Sequence, residues 1–302
     1  MPTRSKWHQL PTEAINPASL AIDKLPLAEI IELMILDNRS VLEAIQQQKN
    51  QIAHGAEMVT QTLEKGGRVI LVGAGTSGRL GVLEAAEIPP TFGTPHGLVQ
   101  AIMAGGKGAV HRAKEGVEDD FQAGAQAIRQ SRPRRTDVVI GITASGVTPF
   151  VRGALTHARQ AGAATVGITC DPRSDLQACV DHLISLPTGP EVIAGSTRLK
   201  AGTATKVVLN MLTTAAMVRV GKTYGNLMID VQAGSEKLRD RARRIIGMVT
   251  GLDDEEANRL LRRANWNVKT AIVIQKTGLT PAKARARLRQ AHESVREALG
   301  EV

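Results

Sequence analysis

Residues 70–90 read ILVGAGTSGRLGVLEAAEIPP. The run opens with apolar residues, breaks at a turn that contains three glycines and two hydroxyl residues, and continues with residues that favour a helix. A short apolar run followed by a glycine-rich turn and a helix is typical of a buried strand in a parallel sheet. This stretch therefore predicts an α/β fold.

The turn after this strand is suited to an anion. The spacing Gly73-x-Gly75-x-x-Gly78 also occurs in dinucleotide-binding folds, which need an acidic residue at the end of the next strand. Here the next apolar run ends AIMAGGKG, without a carboxylate. Thr76 and Ser77 instead add hydroxyl donors to the free N–H groups of a helix start, which favours a compact phosphate.

Further apolar runs alternate with helical patterns along the chain. The five predicted strands are residues 68–72, 98–103, 137–143, 164–169 and 182–186. Helical periodicity covers residues 25–67, with a joint near Asn38, and then 108–131, 150–161 and 203–220. Such alternation indicates βαβ units, in which ligands bind beyond the carboxyl ends of the strands.

A second hydroxyl-rich turn follows the third predicted strand. In GITASGVTPFV, the residues Thr143, Ser145, Gly146 and Thr148 precede a helix that opens at Pro149. One such turn is usually only a helix N-cap. Two of them in one sheet, each with a glycine that lets the backbone approach a ligand, favour a phosphate site over paired caps.

The composition is that of a globular protein with excess positive charge. Of the 302 residues, 42% are hydrophobic, 22% are charged and 2% are aromatic, and the formal net charge is +9. Residues 236–302 hold 15 Lys or Arg against 9 Asp or Glu and so contribute +6. A basic surface can bind nucleic acid, but a solvated helical surface more often explains such a charge run.

Several classes of protein are disfavoured by the sequence. No apolar run approaches the ~18 residues of a membrane span, and the N-terminus lacks the apolar core of a signal peptide. We therefore expect a soluble, cytoplasmic protein without a membrane partner. Cys170 and Cys179 are too few for a disulfide framework. We expect a structural role for His182, and no metal-ligand spacing connects His54, His96, His111 and His157.

The sequence pattern changes near residue 235, after which helix-start and helix-end signals follow one another. Asp253 and Thr280 are candidate N-caps, Pro281 suits a first helical position, and Gly278 suits a helix end. These signals predict a short helical bundle at the C-terminal end of the chain.

Four long motifs follow one another from about residue 50 to 231: LVGAGTSGRLGVLEAAEIPPTFG, AGGKGAVHRAKEGVEDD, GITASGVTPFV and GPEVIAGSTRLKAGTATKVVLNML. They resemble the sugar isomerase (SIS) domain and, more specifically, the N-acetylmuramic acid 6-phosphate etherase family. The sequence differs mildly from that family's pattern, with AEIPP where SECPP is also expected. The glucokinase regulatory protein, a non-enzymatic binder, shares the fold and some of the motifs.

The resemblance implies a three-layer αβα sandwich around a five-stranded parallel sheet, plus a small C-terminal helical bundle. It divides the chain into an N-terminal helical segment (1–50), a phosphosugar-binding SIS domain (51–234) and a UBA-like bundle (235–302). It also implies a phosphosugar substrate, a homodimer with a shared active site, no cofactor or metal, and no nucleic-acid partner.

The reaction that the resemblance implies removes D-lactate from C3 of N-acetylmuramic acid 6-phosphate by elimination, followed by addition of water. Glu87 and Glu118 match the family's catalytic glutamates. Glu87 would donate a proton to the leaving lactate oxygen and later activate water, and Glu118 would be the second acid–base group, acting at C2. Glu84, one helical turn before Glu87, is expected to be structural, either paired with Arg79 or at a helix surface.

The substrate-binding residues predicted in the two turns are Gly75, Thr76, Ser77, Ser145, Gly146 and Thr148. A third segment, 195–203, adds Ser196, Thr197, Arg198 and Lys200. The two cations would contact the phosphate or the lactyl carboxylate, while the two hydroxyls would donate at a helix start. Simple capping of the following helix explains this segment equally well. Glu191 is a further candidate polar contact.

Three other functions are compatible with parts of the sequence. A sugar-phosphate-binding regulator without catalysis is the main alternative, although the presence of both Glu87 and Glu118 favours an enzyme. An aldose–ketose isomerase would need no acid for a leaving group. A DNA-binding sugar-phosphate sensor would use the basic C-terminal helices and show salt-dependent binding.

Overall fold

The computed structural model describes residues 6–230 and 234–301. The chain divides into two compact units, the first formed by residues up to Ala85 with Gly97–Thr213, and the second by Ala86–His96 with the chain from Thr214 onward. The units therefore do not follow one another along the chain. The domain boundaries near residues 50 and 234 stay a prediction, and the first five residues of the predicted N-terminal segment lie outside the described residues, as do 231–233.

The first unit contains a five-stranded parallel sheet, which confirms the predicted fold class. Its strands are β1 (Val69–Gly73), β2 (Val99–Met103), β3 (Val138–Ile142), β4 (Ala164–Thr169) and β5 (His182–Ser185). Their order across the sheet is β2-β1-β3-β4-β5. All five predicted strands are present, and β1 and β3 are neighbours in the sheet.

Among the described residues of the first unit, eight helices begin: α1 (Leu27–Asp37), α2 (Arg39–Gln47), α3 (Lys49–Glu64), α4 (Gly75–Phe92), α5 (Gly108–His111), α6 (Phe121–Gln130), α7 (Pro149–Gln160) and α8 (Lys200–Arg219). The predicted joint at Asn38 is confirmed, and a second break at Gln48 was not predicted. Short 3-10 turns precede α1 at Lys6–Gln9, Pro11–Glu13, Pro17–Ser19 and Ile22–Lys24.

The predicted continuous helix over 108–131 is wrong. The chain leaves α5 at Arg112 in an extended conformation, and Gly116 has a φ of 75°, which helical residues do not adopt. Helix α6 starts afresh at Asp120, whose side chain accepts a hydrogen bond from the N–H of Ala123 at 2.8 Å. The acidic run between the two helices is therefore a loop.

Small residues pack the first unit closely where larger ones would not fit. Helices α6 and α7 cross where a Cβ atom added to Gly124 would lie 1.9 Å from the carbonyl oxygen of Phe150. A Cβ added to Gly153 would lie 2.0 Å from the carbonyl oxygen of Phe121. The core beneath these helices consists mainly of Ile, Val, Leu and Ala, with Phe150 among them. This packing fits a chain that is only 2% aromatic.

The amino ends of β1 and β3 are joined through the fully buried carboxylate of Asp137. It accepts hydrogen bonds from the backbone N–H and the guanidinium of Arg68, at 2.9 and 2.6 Å, and from the same two groups of Arg134, both at 2.9 Å. Burial by itself raises the pKa of Asp137, but these hydrogen bonds outweigh it and lower the pKa from 3.8 to about 2.

Substitution of Asp137 by Asn tests this junction. Because the folded-state pKa lies below the ordinary value, the ionised carboxylate stabilises the fold above about pH 4, and this contribution is lost as the pH falls from about 4 towards 2. A shift of this size corresponds to roughly 2 kcal/mol. We expect Asp137→Asn to lower the urea midpoint at neutral pH and to flatten its pH dependence in the acid range. The exposed Asp175→Asn variant should behave as wild type, and equal behaviour of both variants would contradict the assignment.

The part of the second unit that the structure describes contains a small antiparallel pair and the starts of five helices. They are β6 (Thr223–Tyr224), β7 (Leu227–Met228), α9 (Glu236–Thr250), α10 (Asp254–Arg263), α11 (Val268–Thr277), α12 (Pro281–Gln290) and α13 (Val295–Leu299). The predicted caps at Asp253 and Thr280, the first helical Pro281 and the left-handed Gly278 at the end of α11 are all confirmed.

This unit has its own apolar core, within which lies the ammonium group of Lys269. That group donates to the carbonyl oxygen of Glu293 at 2.9 Å and pairs with the carboxylate of Asp230 at 2.8 Å. Burial lowers the pKa of Lys269, and Asp230 partly offsets the effect. In the part of the chain that the structure describes, no helix is both long and apolar enough to cross a membrane.

Candidate functional site

A cavity of about 390 Å³ lies in the first unit, beyond the carboxyl ends of β1, β2 and β3. The loops after β1 and β3 form much of its wall, as the sequence predicts, and the segment 103–118 after β2 closes another side. In the sheet, β2 lies on one side of β1 and β3 lies on the other, so the chain passes from β1 to β2 and then back past β1 to β3. The cavity therefore lies at the point where the strand order reverses, the usual place for a ligand in such sheets.

The first hydroxyl-rich turn lines this cavity with Gly75, Thr76 and Ser77. They form the first turn of α4, where backbone N–H groups have no partner within the helix. Gly75 has a φ of 51°, a left-handed conformation that glycine adopts without strain and that turns the chain from β1 into α4. The hydroxyls and the free N–H groups of this turn make a positively polarised surface suited to a phosphate.

The second turn lines the cavity with Thr143, Ser145 and Thr148. The hydroxyls of Thr143 and Thr148 hydrogen-bond to each other at 2.7 Å. Gly146 is not in the wall and instead shapes the turn, because its φ is 74° and an added Cβ would lie 2.0 Å from the Ser174 hydroxyl. The Ser174 hydroxyl donates to the carbonyl oxygen of Gly146 at 2.8 Å and so fixes the conformation of the turn.

Glu118 lines the same cavity from the acidic loop. Its carbonyl oxygen accepts a hydrogen bond from the N–H of Phe150 at 2.9 Å, which ties the acidic loop to the start of α7 beside the second turn. The side chain is half-buried and accepts no hydrogen bond from the residues that the structure describes. A carboxylate is thus held next to two hydroxyl-rich turns without a partner of its own.

Glu87 lies on α4 and belongs to the second unit, whereas the cavity is built from the first unit. It is exposed, and its carbonyl oxygen accepts a hydrogen bond from the Thr91 hydroxyl at 2.7 Å. Its catalytic role stays a prediction.

The third predicted segment divides between two places. Thr197 lines the main cavity, while Arg198 and Lys200 line a separate cavity of about 200 Å³. Ser196 lies in the connecting turn, where its N–H donates to the carbonyl oxygen of Ile193. The buried ammonium of Lys200 pairs with Asp37 at 2.8 Å, so the protein itself supplies a partner for this charge.

Two carboxylates considered in the sequence have structural partners. Glu191 is buried and accepts hydrogen bonds from the N–H groups of Lys200 and Ala201 at 3.0 and 2.9 Å, which caps the start of α8. Glu84 is buried and accepts hydrogen bonds from the side chains of Asn210 and Thr213 on α8. The expected structural role of Glu84 is therefore observed, although its partners differ from the expected Arg79.

Two other side chains have assigned partners. Arg79 donates to the carbonyl oxygens of Val110 and Ala109, both at 2.9 Å, and so fixes α5 beside the first turn. His182 is buried, and its Nε2 lies 2.7 Å from the carbonyl oxygen of Gln51. Burial lowers the pKa of His182, in keeping with the structural role that the sequence predicts. Within residues 6–230 and 234–301, no group of His, Cys, Asp or Glu is arranged to hold a metal ion.

Sequence reasoning missed several residues of the cavity wall. Lys114 and Glu115 line it from the acidic loop, and Thr12 and Glu13 line it from the N-terminal 3-10 turn. The first pair falls in the loop across which the sequence predicts a helix. Nothing in the local sequence connects the second pair with the two phosphate-binding turns.

Replacement of Ser77 or Ser145 by Ala tests the phosphate-binding surface. Each change removes one hydroxyl donor from the wall, and a hydrogen bond to a charged group is worth about 1.5–3 kcal/mol, so phosphosugar binding should weaken about tenfold or more. Calorimetric titration with N-acetylglucosamine 6-phosphate measures the change. Ser131→Ala, at the C-cap of α6, is the control and should bind as wild type; unchanged affinity in both test variants would contradict the assignment.

Comparison with known proteins defines the class first. Residues 51–159 match the glucokinase regulatory protein N-terminal SIS domain, residues 123–215 match the SIS domain, and residues 248–273 match a UBA-like domain. A phosphoheptose isomerase from Francisella tularensis has a similar fold, with a TM-score of 0.51 and 20% identity over 64% of this chain and 98% of that one. The protein is therefore a SIS-domain protein.

Curated relatives define the family. The N-acetylmuramic acid 6-phosphate etherase of Microcystis aeruginosa is 49% identical, over 98% of this chain and 96% of the relative. The etherase of Trichormus variabilis is 51% identical, over 95% of this chain and 94% of the relative. The chain belongs to the N-acetylmuramic acid 6-phosphate etherase family.

Proposed function

We propose that the protein cleaves the D-lactyl ether of N-acetylmuramic acid 6-phosphate and releases D-lactate and N-acetylglucosamine 6-phosphate. The observation that carries this proposal is the cavity in which two hydroxyl-rich turns and Glu118 line one wall. Membership of the etherase family supports the identity of the substrate. The expected cytoplasmic location stays a prediction.

The chemistry proposed is that of a carbon–oxygen lyase followed by hydration. Opening of the sugar ring exposes an aldehyde at C1, which acidifies the hydrogen at C2. A base removes that proton, lactate leaves from C3 with a proton from an acid, and a C2–C3 double bond forms. Water then adds across this bond, returning a proton to C2 and a hydroxyl to C3, so that the atoms balance without any change in oxidation state.

The two hydroxyl-rich turns would position the sugar for these reaction steps. A phosphate bound by the first turns of α4 and by the Ser145 turn would extend its sugar along the wall that carries Glu118. Glu118 is proposed as the base at C2, because its half-buried carboxylate lines the cavity and accepts no hydrogen bond from the residues that the structure describes. Glu87 is proposed as the acid that protonates the departing lactate oxygen and then activates water.

Glu87 does not belong to the wall of the cavity, which favours a site shared between two copies of the chain, with Glu87 acting on a sugar bound by the second copy. Exposed apolar side chains offer a surface for that copy. Those on α1 and α2 are Leu27, Ile31, Ile35, Leu36 and Leu42. A homodimer with a shared active site is therefore part of the proposal.

Solvent isotopes test the reaction itself. Turnover in deuterated water should place deuterium at C2 of the amino sugar, and turnover in ¹⁸O-labelled water should label its C3 hydroxyl while the lactate stays unlabelled. Mass spectrometry of both products measures the labels. Label in lactate would indicate displacement at the lactyl carbon and contradict elimination, and substrate binding without lactate release would indicate a regulator instead.

Glutamine variants separate the two acid–base roles. Glu118→Gln should lose exchange of the C2 proton, because an amide cannot act as the base. Glu87→Gln should lose lactate release while exchange at C2 continues, since the amide cannot supply the proton that the leaving oxygen needs. Lactate release by Glu87→Gln at the wild-type rate would contradict the role of Glu87.

Mixing two inactive variants tests the shared site. Glu87→Gln lacks the acid, and a Ser77→Ala/Ser145→Ala double variant lacks the phosphate surface, so each homodimer should be inactive or nearly so. If each site takes residues from two copies, dimers formed by refolding both variants together should contain one intact site and regain lactate release. Failure of the mixture to regain activity, with mixed dimers demonstrated by native mass spectrometry, would contradict the shared site.

A further inference from the structure

The N-terminal 3-10 turn Pro11–Glu13 forms part of the cavity wall. The carbonyl oxygen of Thr12 accepts a hydrogen bond from the N–H of Gly195 at 3.1 Å, and Thr12 itself is buried. Gly195 lines the cavity as well. The 3-10 turn is thus joined to the loop before α8 by a backbone hydrogen bond directly at the wall.

The chain after this turn is fixed by a second set of contacts. The side-chain N–H₂ group of Asn16 donates to the carboxylate of Asp37 at 3.1 Å and to the carbonyl oxygen of Pro190 at 3.2 Å. Its amide oxygen caps the next 3-10 turn by accepting a hydrogen bond from the N–H of Ala18 at 3.0 Å. Contacts on both sides of Glu13 therefore hold its backbone in place.

The carboxylate of Glu13 lies against the backbone of Gly195. A Cβ atom added to Gly195 would lie 3.2 Å from Oε2 of Glu13, so the missing side chain leaves room for the carboxylate. Glu13 is exposed, and its carboxylate accepts no hydrogen bond from the residues that the structure describes. Glu84 and Glu191, in contrast, are buried and have two donors each.

We propose that Glu13 is a substrate-binding residue that selects the sugar part of the ligand, an inference that rests on the proposed function. Its carboxylate accepts a hydrogen bond from a hydroxyl or amide N–H group of the bound amino sugar. Its negative charge would repel the phosphate and the lactyl carboxylate, so it contacts a neutral part of the molecule. The turn Pro11–Glu13 then adds a sugar-recognising wall to a cavity whose other turns recognise phosphate.

Binding measurements on Glu13 variants test the proposal. The probes are N-acetylglucosamine 6-phosphate and inorganic phosphate, titrated by calorimetry into the full chain. Glu13→Ala should weaken binding of the phosphosugar about tenfold or more and leave binding of inorganic phosphate unchanged. Glu13→Gln should lie between wild type and Glu13→Ala, because its amide oxygen still accepts a hydrogen bond. Glu43→Gln, an exposed glutamate on α2, is the matched control and should bind both probes as wild type does.

A second variant tests the position of the carboxylate. Gly195→Ala places a methyl group against Glu13 and, because Gly195 has a φ of 77°, also strains the loop, so it should weaken phosphosugar binding. The loss it causes should be smaller in the Glu13→Ala background than in wild type, because part of it acts on the contact that Glu13→Ala has already removed. A loss of the same size in both backgrounds would count against the proposal. Melting temperatures show that each variant is folded.

The outcomes separate this inference from the proposed function. If wild type binds the phosphosugar and releases lactate while Glu13→Ala has the same affinity and KM, the role of Glu13 is wrong and the proposed function stands. Equal losses for phosphosugar and phosphate also overturn the role of Glu13, because they indicate a general change in the cavity. If wild type neither binds the phosphosugar nor releases lactate, both proposals fail together.

Discussion

The close approach of β1 to the start of α4 determines where the other parts of the candidate site lie. A Cβ atom added to Gly73 would be 2.6 Å from the N atom of Gly78, and one added to Gly78 would be 2.7 Å from the carbonyl oxygen of Gly73. Only two glycines allow the helix to begin directly on the strand. The free N–H groups at the start of α4 therefore lie at the carboxyl ends of the strands. The neighbouring strand β3 ends at the same edge of the sheet and is followed by the start of α7.

Five carboxylates of the first unit separate into two kinds by the donors that surround them. Asp137, Glu84 and Glu191 are buried, and each accepts hydrogen bonds from at least two groups. Glu13 and Glu118 lie in the cavity wall without a donor among the residues that the structure describes. The first kind joins elements of the fold, and the second is available to a ligand.

The same distinction applies to the cations of the segment before α8. Lys200 is a buried lysine whose ammonium group pairs with the half-buried Asp37, so removal of Asp37 would leave the buried cation without this partner. Thr197, three residues earlier, lines the cavity instead. The segment 195–203 therefore has two roles: Lys200 anchors the start of α8, and Thr197 completes the cavity wall.

The sequence by itself determined the local structure of this protein. Apolar runs located the five strands, glycines and hydroxyls located the two turns that line the cavity, and capping residues located helix ends in the second unit, because each depends on neighbours along the chain. The prediction of a helix across the acidic loop was wrong, because Gly116 adopts a left-handed conformation there. Tertiary structure alone decided which partner each charge would meet. Lys200 pairs with Asp37 across 163 residues, and the turn at Glu13 reaches the loop at Gly195, because such contacts depend on the path of the whole chain and leave no local pattern.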